Sequence, residues 1–400
     1  MEDANLTREI GRVNQHTRSM ISEYVAWGGK IRNGEVHYAL YDEMLEFVNL
    51  RTETADSCLT LIENRKIADS LGLSRSLLEH YLLFMLMCRG RKYFRLQDLS
   101  NLTKGQFNVR LRKEQEDLEA KRAAGTSQRI AVRKYPRAPA RHLMHIFEGL
   151  KDKEDPDFVI PIHYFQFQQF RPEVMRLNDE DYFQYYQRPE ETKKALEEHQ
   201  RGATFNYRHY LAYDALLQSL ELNDLVDSAA IARIEAHYTF LGKFLHPTHG
   251  AARELHERSN IHYGGTGVGI GQDYSQLSVL LASLYVCYSL AGLFGEAVAL
   301  LEGAPSKYVA DAGTSDLRAL MDGVPRSFPY FWFLFNDPPL FDCFNYCVHH
   351  ASEQNLAEWG HYSNVPKERV PFDQNIYTHL ERSLGACSNS RWGMYYSPIG

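Results

Sequence analysis

Apolar residues recur at helical spacing along most of the chain. They fall three or four positions apart over residues 36–64 and again over residues 67–88. The same pattern resumes over residues 207–245 and continues in a long apolar run over residues 275–301. No stretch alternates apolar and polar residues for long enough to indicate a sheet. The pattern therefore predicts an all-α protein built around an antiparallel helix bundle.

The helix predicted over residues 67–88 is apolar on nearly every side, but its main apolar line contains an arginine. That line consists of Leu71, Arg75, Leu78, Leu82 and Met85. A second apolar line consists of Leu73, Leu77, His80, Phe84 and Met87. A helix of this kind is expected in the middle of a bundle, where an unpaired guanidinium would be costly. Glu79, one turn after Arg75, is the expected partner of the guanidinium.

The helix predicted to end near residue 245 has a tyrosine, a glycine and a histidine on one line. Tyr238, Gly242 and His246 follow one another at intervals of four residues. Glycine inside a helix costs about 0.5–1 kcal/mol relative to alanine, so we expect another backbone to approach closely at Gly242. If the helix of Arg75 crosses there, Tyr238 and His246 flank Arg75 and Glu79. The four side chains then form either a reactive site or a satisfied polar network that sets helix register.

Charge is distributed unevenly along the chain. The formal net charge of -7 argues against a protein that coats nucleic acid with its whole surface. Residues 89–145, however, contain 15 Lys and Arg but only 5 Asp and Glu. The most closely spaced basic side chains there are Arg129, Arg133, Lys134, Arg137 and Arg141. We predict that they contact the backbone of a nucleic acid, the alternatives being a solvated loop and a contact for an acidic partner protein.

These observations divide the chain into four parts. Residues 1–90 and 207–305 are predicted to form the two halves of the bundle. Residues 91–206 are predicted to be an inserted basic arm followed by an aromatic and acidic segment. Residues 306–400 are predicted to be an irregular, aromatic-rich segment packed on the bundle.

The cysteines and the most apolar segment bear on location. The six cysteines are scattered, mostly within apolar runs, as is usual for free thiols in a reducing compartment. Residues 277–295 contain no charge and have the length of a membrane span. Their serines and tyrosines, and the absence of flanking Lys or Arg, favour a buried bundle helix. We therefore predict a cytoplasmic protein that is not inserted in a membrane.

Three further motifs do not lead to a cofactor. The glycine-rich stretch at residues 264–271 follows no strand and lacks the lysine of a phosphate-binding loop, so we interpret it as a connector. Cys343, Cys347, His349 and His350 lack a second ligand pair at a spacing typical of structural zinc. The Glu-x-x-His step at residues 358–361 lacks the second step of a di-iron bundle. We predict no metal and no cofactor.

The two helices around Arg75 and His246 resemble those of the bacterial HEPN-like helical proteins. In that family a helix with Arg-Ser-x-x-Glu is paired with a helix with Tyr-x-x-Leu-Ser-x-x-x-His-Pro. The matching residues here are Arg75, Ser76, Glu79, Tyr238, Gly242, His246 and Pro247. Gly242 stands where the family pattern usually has serine. The likeness covers approximately residues 35–88 and 233–301.

The resemblance implies a metal-independent ribonuclease or RNA-directed toxin, of a kind found in antiviral defence, that acts as a dimer. Family ribonucleases carry an arginine and a following histidine with four to six residues between them, a spacing that Arg75 and His80 meet. Two other Arg and His pairs in the chain also meet it, and on a regular helix His80 is turned about 140° from Arg75.

The resemblance also implies roles for individual residues. Arg75 would neutralise charge on the scissile phosphate, and His246 or His80 would move the proton of an RNA 2'-hydroxyl. Glu79 and Tyr238 complete this candidate catalytic set. The alternative function is that of a non-catalytic helical module that binds nucleic acid or a partner protein through the basic arm.

Overall fold

A computed structural model shows a mainly helical protein. It describes residues 3–31, 39–125, 127, 129–136, 141–148, 150–151, 159–160, 213–246, 251, 255, 274–306, 309–331, 338, 340–370 and 376–391. The described helices are α1 (Asp3–Ile31), α2 (Ala39–Glu63), α3 (Ile67–Arg89), α4 (Lys104–Ala123), α5 (Tyr213–Leu222), α6 (Ser228–Leu245), α7 (Gln276–Glu302), α8 (Ser315–Ser327), α9 (Leu340–His349), α10 (Glu353–Trp359) and α11 (Ile376–Arg391). The described strands are β1 (Lys92–Asp98), β2 (Arg129–Lys134), β3 (His142–Glu148), β4 (Leu150–Lys151) and β5 (Val159–Ile160).

Helix α7 is the centre of the bundle. It packs against α1, α2, α3 and α8, and α3 in turn packs against α2 and α6. By length and composition α7 could cross a membrane, but 78% of its most apolar stretch is buried inside the protein. The prediction that this segment is a buried bundle helix is therefore confirmed.

The contact between α3 and α7 requires a glycine. A Cβ atom at Gly292 of α7 would lie 2.3 Å from Cζ of Tyr81 on α3, a distance that real Cβ contacts do not reach. The Tyr81 ring is itself buried. The Tyr81 ring of α3 therefore packs directly against the backbone of α7.

The region predicted to be a basic arm contains a sheet, so the prediction of an all-α fold is wrong for this part of the chain. Strand β3 lies between β1 and β2 and is antiparallel to both. Helix α4 packs against β2, and α5 packs against β1. The strands were not predicted because their apolar and polar residues do not alternate regularly. Arg95 and His145, which pair across β1 and β3, interrupt the apolar pattern of one face.

The C-terminal part is more regular than predicted. Helix α8 packs on α1 and α7, and Tyr377 of α11 hydrogen-bonds to Ser278 of α7 at 3.0 Å. Helices α9 and α10 enclose a small separate apolar cluster together with Val365 and Val370. Residues 161–206 of the predicted aromatic and acidic segment lie outside the described residues, as do residues 207–212 and 332–337.

Candidate functional site

Helices α3 and α6 cross where glycine allows a close approach, but at a different glycine from the one predicted. A Cβ atom at Gly72 of α3 would lie 3.6 Å from the carbonyl oxygen of Phe244 on α6. At Gly242, where we expected a neighbouring backbone, the nearest atom to an added Cβ is Nη1 of Arg75, at 3.2 Å. The prediction of a backbone contact at Gly242 is wrong: the missing side chain makes room for a guanidinium.

The structure brings Arg75, Glu79, Tyr238 and His246 together in one group, called here the α3–α6 cluster. Nε of Arg75 lies 3.4 Å from Oε1 of Glu79, and Nη2 of Arg75 donates a hydrogen bond to the Tyr238 hydroxyl. Nη1 of Arg75 lies 3.3 Å from Nε2 of His246. The Arg75 side chain is only 13% exposed, whereas His246, at the end of α6, is exposed. The guanidinium is thus held from inside the protein, with an imidazole on its outer side.

Aromatic stacking fixes the position of Tyr238. Cζ of Arg75 lies 4.0 Å from the centre of the Tyr238 ring, and the Tyr213 ring stacks on Tyr238 at a centroid separation of 3.5 Å. Burial, followed by the charge of Glu79, raises the pKa of Tyr238, and burial likewise raises the pKa of Tyr213. Both hydroxyls therefore remain protonated at neutral pH. Within the described residues, the buried Tyr213 hydroxyl has no hydrogen-bond partner.

Tyr213 belongs to the site, although the sequence reasoning did not include it. It begins α5, whereas Arg75 and Glu79 lie on α3, Tyr238 lies on α6 and His246 follows the last residue of α6. Periodicity within one helix cannot show which residue of a second helix will stack on it.

His80 lies on a different side of α3, away from the α3–α6 cluster. Its Nδ1 is 3.0 Å from Nη1 of Arg51 and 3.1 Å from Oγ of Ser76. Burial, with a further contribution from the charge of Arg51, lowers the pKa of His80 to about 4. His80 is therefore neutral at pH 7 and accepts a hydrogen bond from Arg51. The structure does not bring it to Arg75.

The basic residues predicted to bind nucleic acid have different surroundings. Arg133 and Lys134 are exposed on β2. Arg141 donates from Nη2 to the carbonyl oxygen of Ser100 at 3.0 Å. Arg129 is largely buried between α4 and the sheet, bonded to Glu114. Arg137 lies outside the described residues.

Within the described ranges, no group of three His, Cys, Asp or Glu side chains is placed to hold a metal ion. The α3–α6 cluster presents a fixed positive charge, that of Arg75, beside the exposed imidazole of His246. Comparisons of the chain with models of protein families, with curated proteins and with solved structures found no match.

Proposed function

We propose that the protein is a metal-independent, HEPN-like ribonuclease whose active site is centred on Arg75 and His246. The observation that carries this proposal is the 3.3 Å separation of Nη1 of Arg75 and Nε2 of His246. A phosphodiester placed against the exposed side of this pair would meet a positive charge that is already oriented. It would also meet an imidazole that can exchange protons with water.

The reaction would proceed by attack of the RNA 2'-hydroxyl on the adjacent phosphorus. His246 would accept the proton of that hydroxyl as the new P–O2' bond forms. The P–O5' bond would break, the 5'-oxygen would take a proton from water, and a cyclic phosphate would remain on the other fragment. Arg75 would offset the negative charge that develops on the phosphate oxygens.

Glu79 and Tyr238 would act as positioning residues in this scheme. Each contacts the guanidinium at a different nitrogen, Nε for Glu79 and Nη2 for Tyr238. Two contacts restrict rotation of the planar group, and the face of the Tyr238 ring limits its tilt. Because the guanidinium is then held before substrate arrives, less reorganisation is needed in the transition state.

The likeness of α3 and α6 to HEPN-like proteins extends the proposal to a role in toxin action or antiviral defence, and to a homodimer. A cytoplasmic location is part of the same proposal. It is supported by five of the six cysteines, which are free thiols.

The test is cleavage of total RNA by the purified protein, with and without a chelator. Arg75→Ala and His246→Ala should each reduce the cleavage rate about 100-fold or more, since each removes one group that acts in the transition state. His349→Ala is a matched control because His349 is also exposed and also ends a helix. That variant should keep the wild-type rate, and the chelator should have no effect.

Two outcomes would overturn the proposal. Cleavage that survives both Arg75→Ala and His246→Ala would exclude the α3–α6 cluster as the active site. Cleavage abolished by the chelator would exclude a metal-independent mechanism. Thermal melts of the variants separate a loss of chemistry from a loss of fold.

A second candidate function is a non-catalytic module that binds nucleic acid or a partner protein. The observation that favours it is the set of contacts made by Arg75, whose three nitrogens all face protein groups. A guanidinium engaged in this way can serve helix packing alone. Folded wild-type protein that binds RNA without cleaving it would identify this function.

A further inference from the structure

Helix α4 contacts the sheet largely through polar side chains. Within α4 only Phe107 and Leu118 are buried. Arg110 donates from Nη2 to Oε1 of Glu114 at 2.7 Å, and Arg129 of β2 donates from Nη1 to Oε2 of Glu114 at 3.1 Å. One carboxylate therefore holds two guanidiniums. Together with His145 of β3, these residues are called the arginine layer.

His145 completes the arginine layer without adding charge. Its Nδ1 lies 2.8 Å from Nη1 of Arg129, and its Nε2 lies 3.2 Å from Oε1 of Gln97. The first contact requires Nδ1 to accept, and the second requires Nε2 to donate, so the ring is neutral. Burial, followed by the charge of Arg129, lowers the pKa of His145 in agreement with this tautomer.

The arginine layer carries a net positive charge. Burial alone raises the pKa of Glu114, but the hydrogen bond from Arg129 and the charge of Arg110 lower it overall, so Glu114 is ionised. Two guanidiniums then face one carboxylate and a neutral imidazole. Glu114 and Arg129 are only 13% and 18% exposed, so solvent screens this charge less than it screens charges on the open surface.

Arg110 retains unused hydrogen-bond donors. Its side chain is 41% exposed, and Glu114 occupies only its Nη2 among the contacts within the described residues. Nε of Arg110 is buried and has no partner in this part of the protein. Arg110 is therefore anchored at one nitrogen, and the donors on the exposed part of its guanidinium remain available to a ligand at the protein surface.

We propose that the arginine layer binds a phosphate group of the RNA backbone. A phosphate oxygen can accept from Arg110 in the planar, forked geometry that guanidinium favours, and its negative charge balances the excess positive charge of the layer. Residues 89–145, with 15 basic and 5 acidic residues, provide the longer-range attraction for such a polyanion. Arg129 is held by Glu114 and His145. Its role is therefore to keep the arginine layer in place, and Arg110 is the residue that contacts the phosphate.

This inference rests on the proposed function only in naming RNA as the ligand, because binding at the arginine layer does not require cleavage at Arg75. It also assigns a role to Arg110 and His145, which sequence reasoning did not select. The layer is built from α4, β2 and β3, whereas the α3–α6 cluster is built from two helices of the bundle. The two sites can therefore be altered independently.

The experiment measures binding of a labelled single-stranded RNA by fluorescence anisotropy over a range of salt concentrations. Every variant also carries His246→Ala, so that the RNA is not consumed. Arg110→Ala should weaken binding about 5- to 10-fold and reduce the slope of log K against log salt by about 0.7. Arg112→Ala is the matched control because Arg112 is an exposed arginine on the same helix, outside the layer. It should weaken binding less than 2-fold.

Arg110→Lys is the second variant. It keeps the positive charge but removes the planar, paired donors of the guanidinium. It should fall between the wild type and Arg110→Ala, since lysine replaces planar donors with a point charge. A melt of each variant checks that the sheet remains folded.

The outcomes separate this inference from the proposed function. Equal effects of Arg110→Ala and Arg112→Ala, or no RNA binding by the wild type, would overturn the inference. Binding of polyglutamate as tight as that of RNA, and equally dependent on Arg110, would overturn it in favour of an acidic protein partner. Arg110-dependent RNA binding by a wild-type protein that never cleaves RNA would support the inference and overturn the proposed function.

Discussion

Helix α3 takes part in two contacts between an arginine and a histidine, and their surroundings differ. In the first, Arg75 of α3 is largely buried and meets His246, which is exposed at the end of α6. In the second, His80 of α3 is partly buried and its Nδ1 lies 3.0 Å from Nη1 of Arg51 on α2. The pairs have similar nitrogen separations, so burial of the histidine is the main difference between them.

That difference decides what each imidazole can do. Burial and the charge of Arg51 lower the pKa of His80 to about 4, so at neutral pH it accepts a hydrogen bond but does not take up a proton. His246 is exposed, so a substrate can reach its ring. The same residue types thus form an internal polar contact at one place and a candidate acid–base pair at the other. The Arg75 and His80 spacing in the sequence does not correspond to a contact between them.

The largest predicted effect concerns the packing of the inner side of α3. Gly292→Ala places a Cβ atom 2.3 Å from Cζ of Tyr81, which follows His80 on α3 and is buried. We expect a loss of about 3 kcal/mol in the free energy of unfolding, because the buried ring would have to be displaced. The measurement is urea denaturation followed by circular dichroism.

Gly295→Ala is the control for this substitution. Gly295 lies on the same helix, and an added Cβ there meets nothing within 4 Å. Alanine should leave stability unchanged or raise it by up to about 1 kcal/mol through its higher helix propensity. If both substitutions cost the same, the close contact of Tyr81 and α7 does not contribute to stability.

A second prediction uses pH to test the inner of the two histidines, His80. The pKa of His80 falls from 6.5 to about 4 on folding, so the folded protein is harder to protonate at this site than the unfolded chain. The stability linked to neutral His80 is complete above pH 6.5 and is lost progressively as the pH falls towards 4. The loss is expected to be on the order of 3 kcal/mol.

The measurement is the free energy of unfolding between pH 7 and pH 4 for the wild type and His80→Gln. Glutamine cannot titrate, so the curve of His80→Gln should fall less steeply than that of the wild type. Parallel curves for the two proteins would contradict the assignment of His80 as a partly buried, neutral histidine.

The sequence predicted the α3–α6 cluster because helical spacing determines which side chains share a face. Arg75 on an apolar line of α3 required partners, and Tyr238 and His246 were the polar residues aligned on the facing helix. The helix predicted over residues 67–88 is observed as Ile67–Arg89. Helical spacing, together with the need of a largely buried arginine for partners, was therefore enough to predict which four side chains meet.

The features that were not predicted depend on contacts between different elements, which the spacing of residues within one element does not show. The sheet was missed because Arg95 and His145 occupy its α4-facing side, where a typical pattern would have apolar residues. Tyr213 was missed because its stacking partner lies on another helix. At Gly242 the pattern showed that space was needed, but not that a guanidinium would occupy it.

The smallest predicted effect concerns Gly242, which lies next to Arg75 in the α3–α6 cluster. An added Cβ would lie 3.2 Å from Nη1 and 3.9 Å from Cζ of Arg75, the end of a flexible side chain that can shift by a few tenths of an ångström. We expect Gly242→Ala and Gly242→Ser to change the free energy of unfolding by less than about 1 kcal/mol, with helix propensity offsetting the displacement. RNA cleavage should fall less than about 10-fold, corresponding to about 1.4 kcal/mol.

Because alanine and serine place the same Cβ atom beside Arg75, the difference between the two variants isolates the effect of a hydroxyl at this position. A serine variant that cleaves faster than the alanine variant would show that the hydroxyl helps to orient the guanidinium. Conversely, Gly242→Ala could prove as destabilising as Gly292→Ala. Arg75 would then be as rigidly packed as Tyr81, and the distinction between an adaptable outer side and a rigid inner side of α3 would fail.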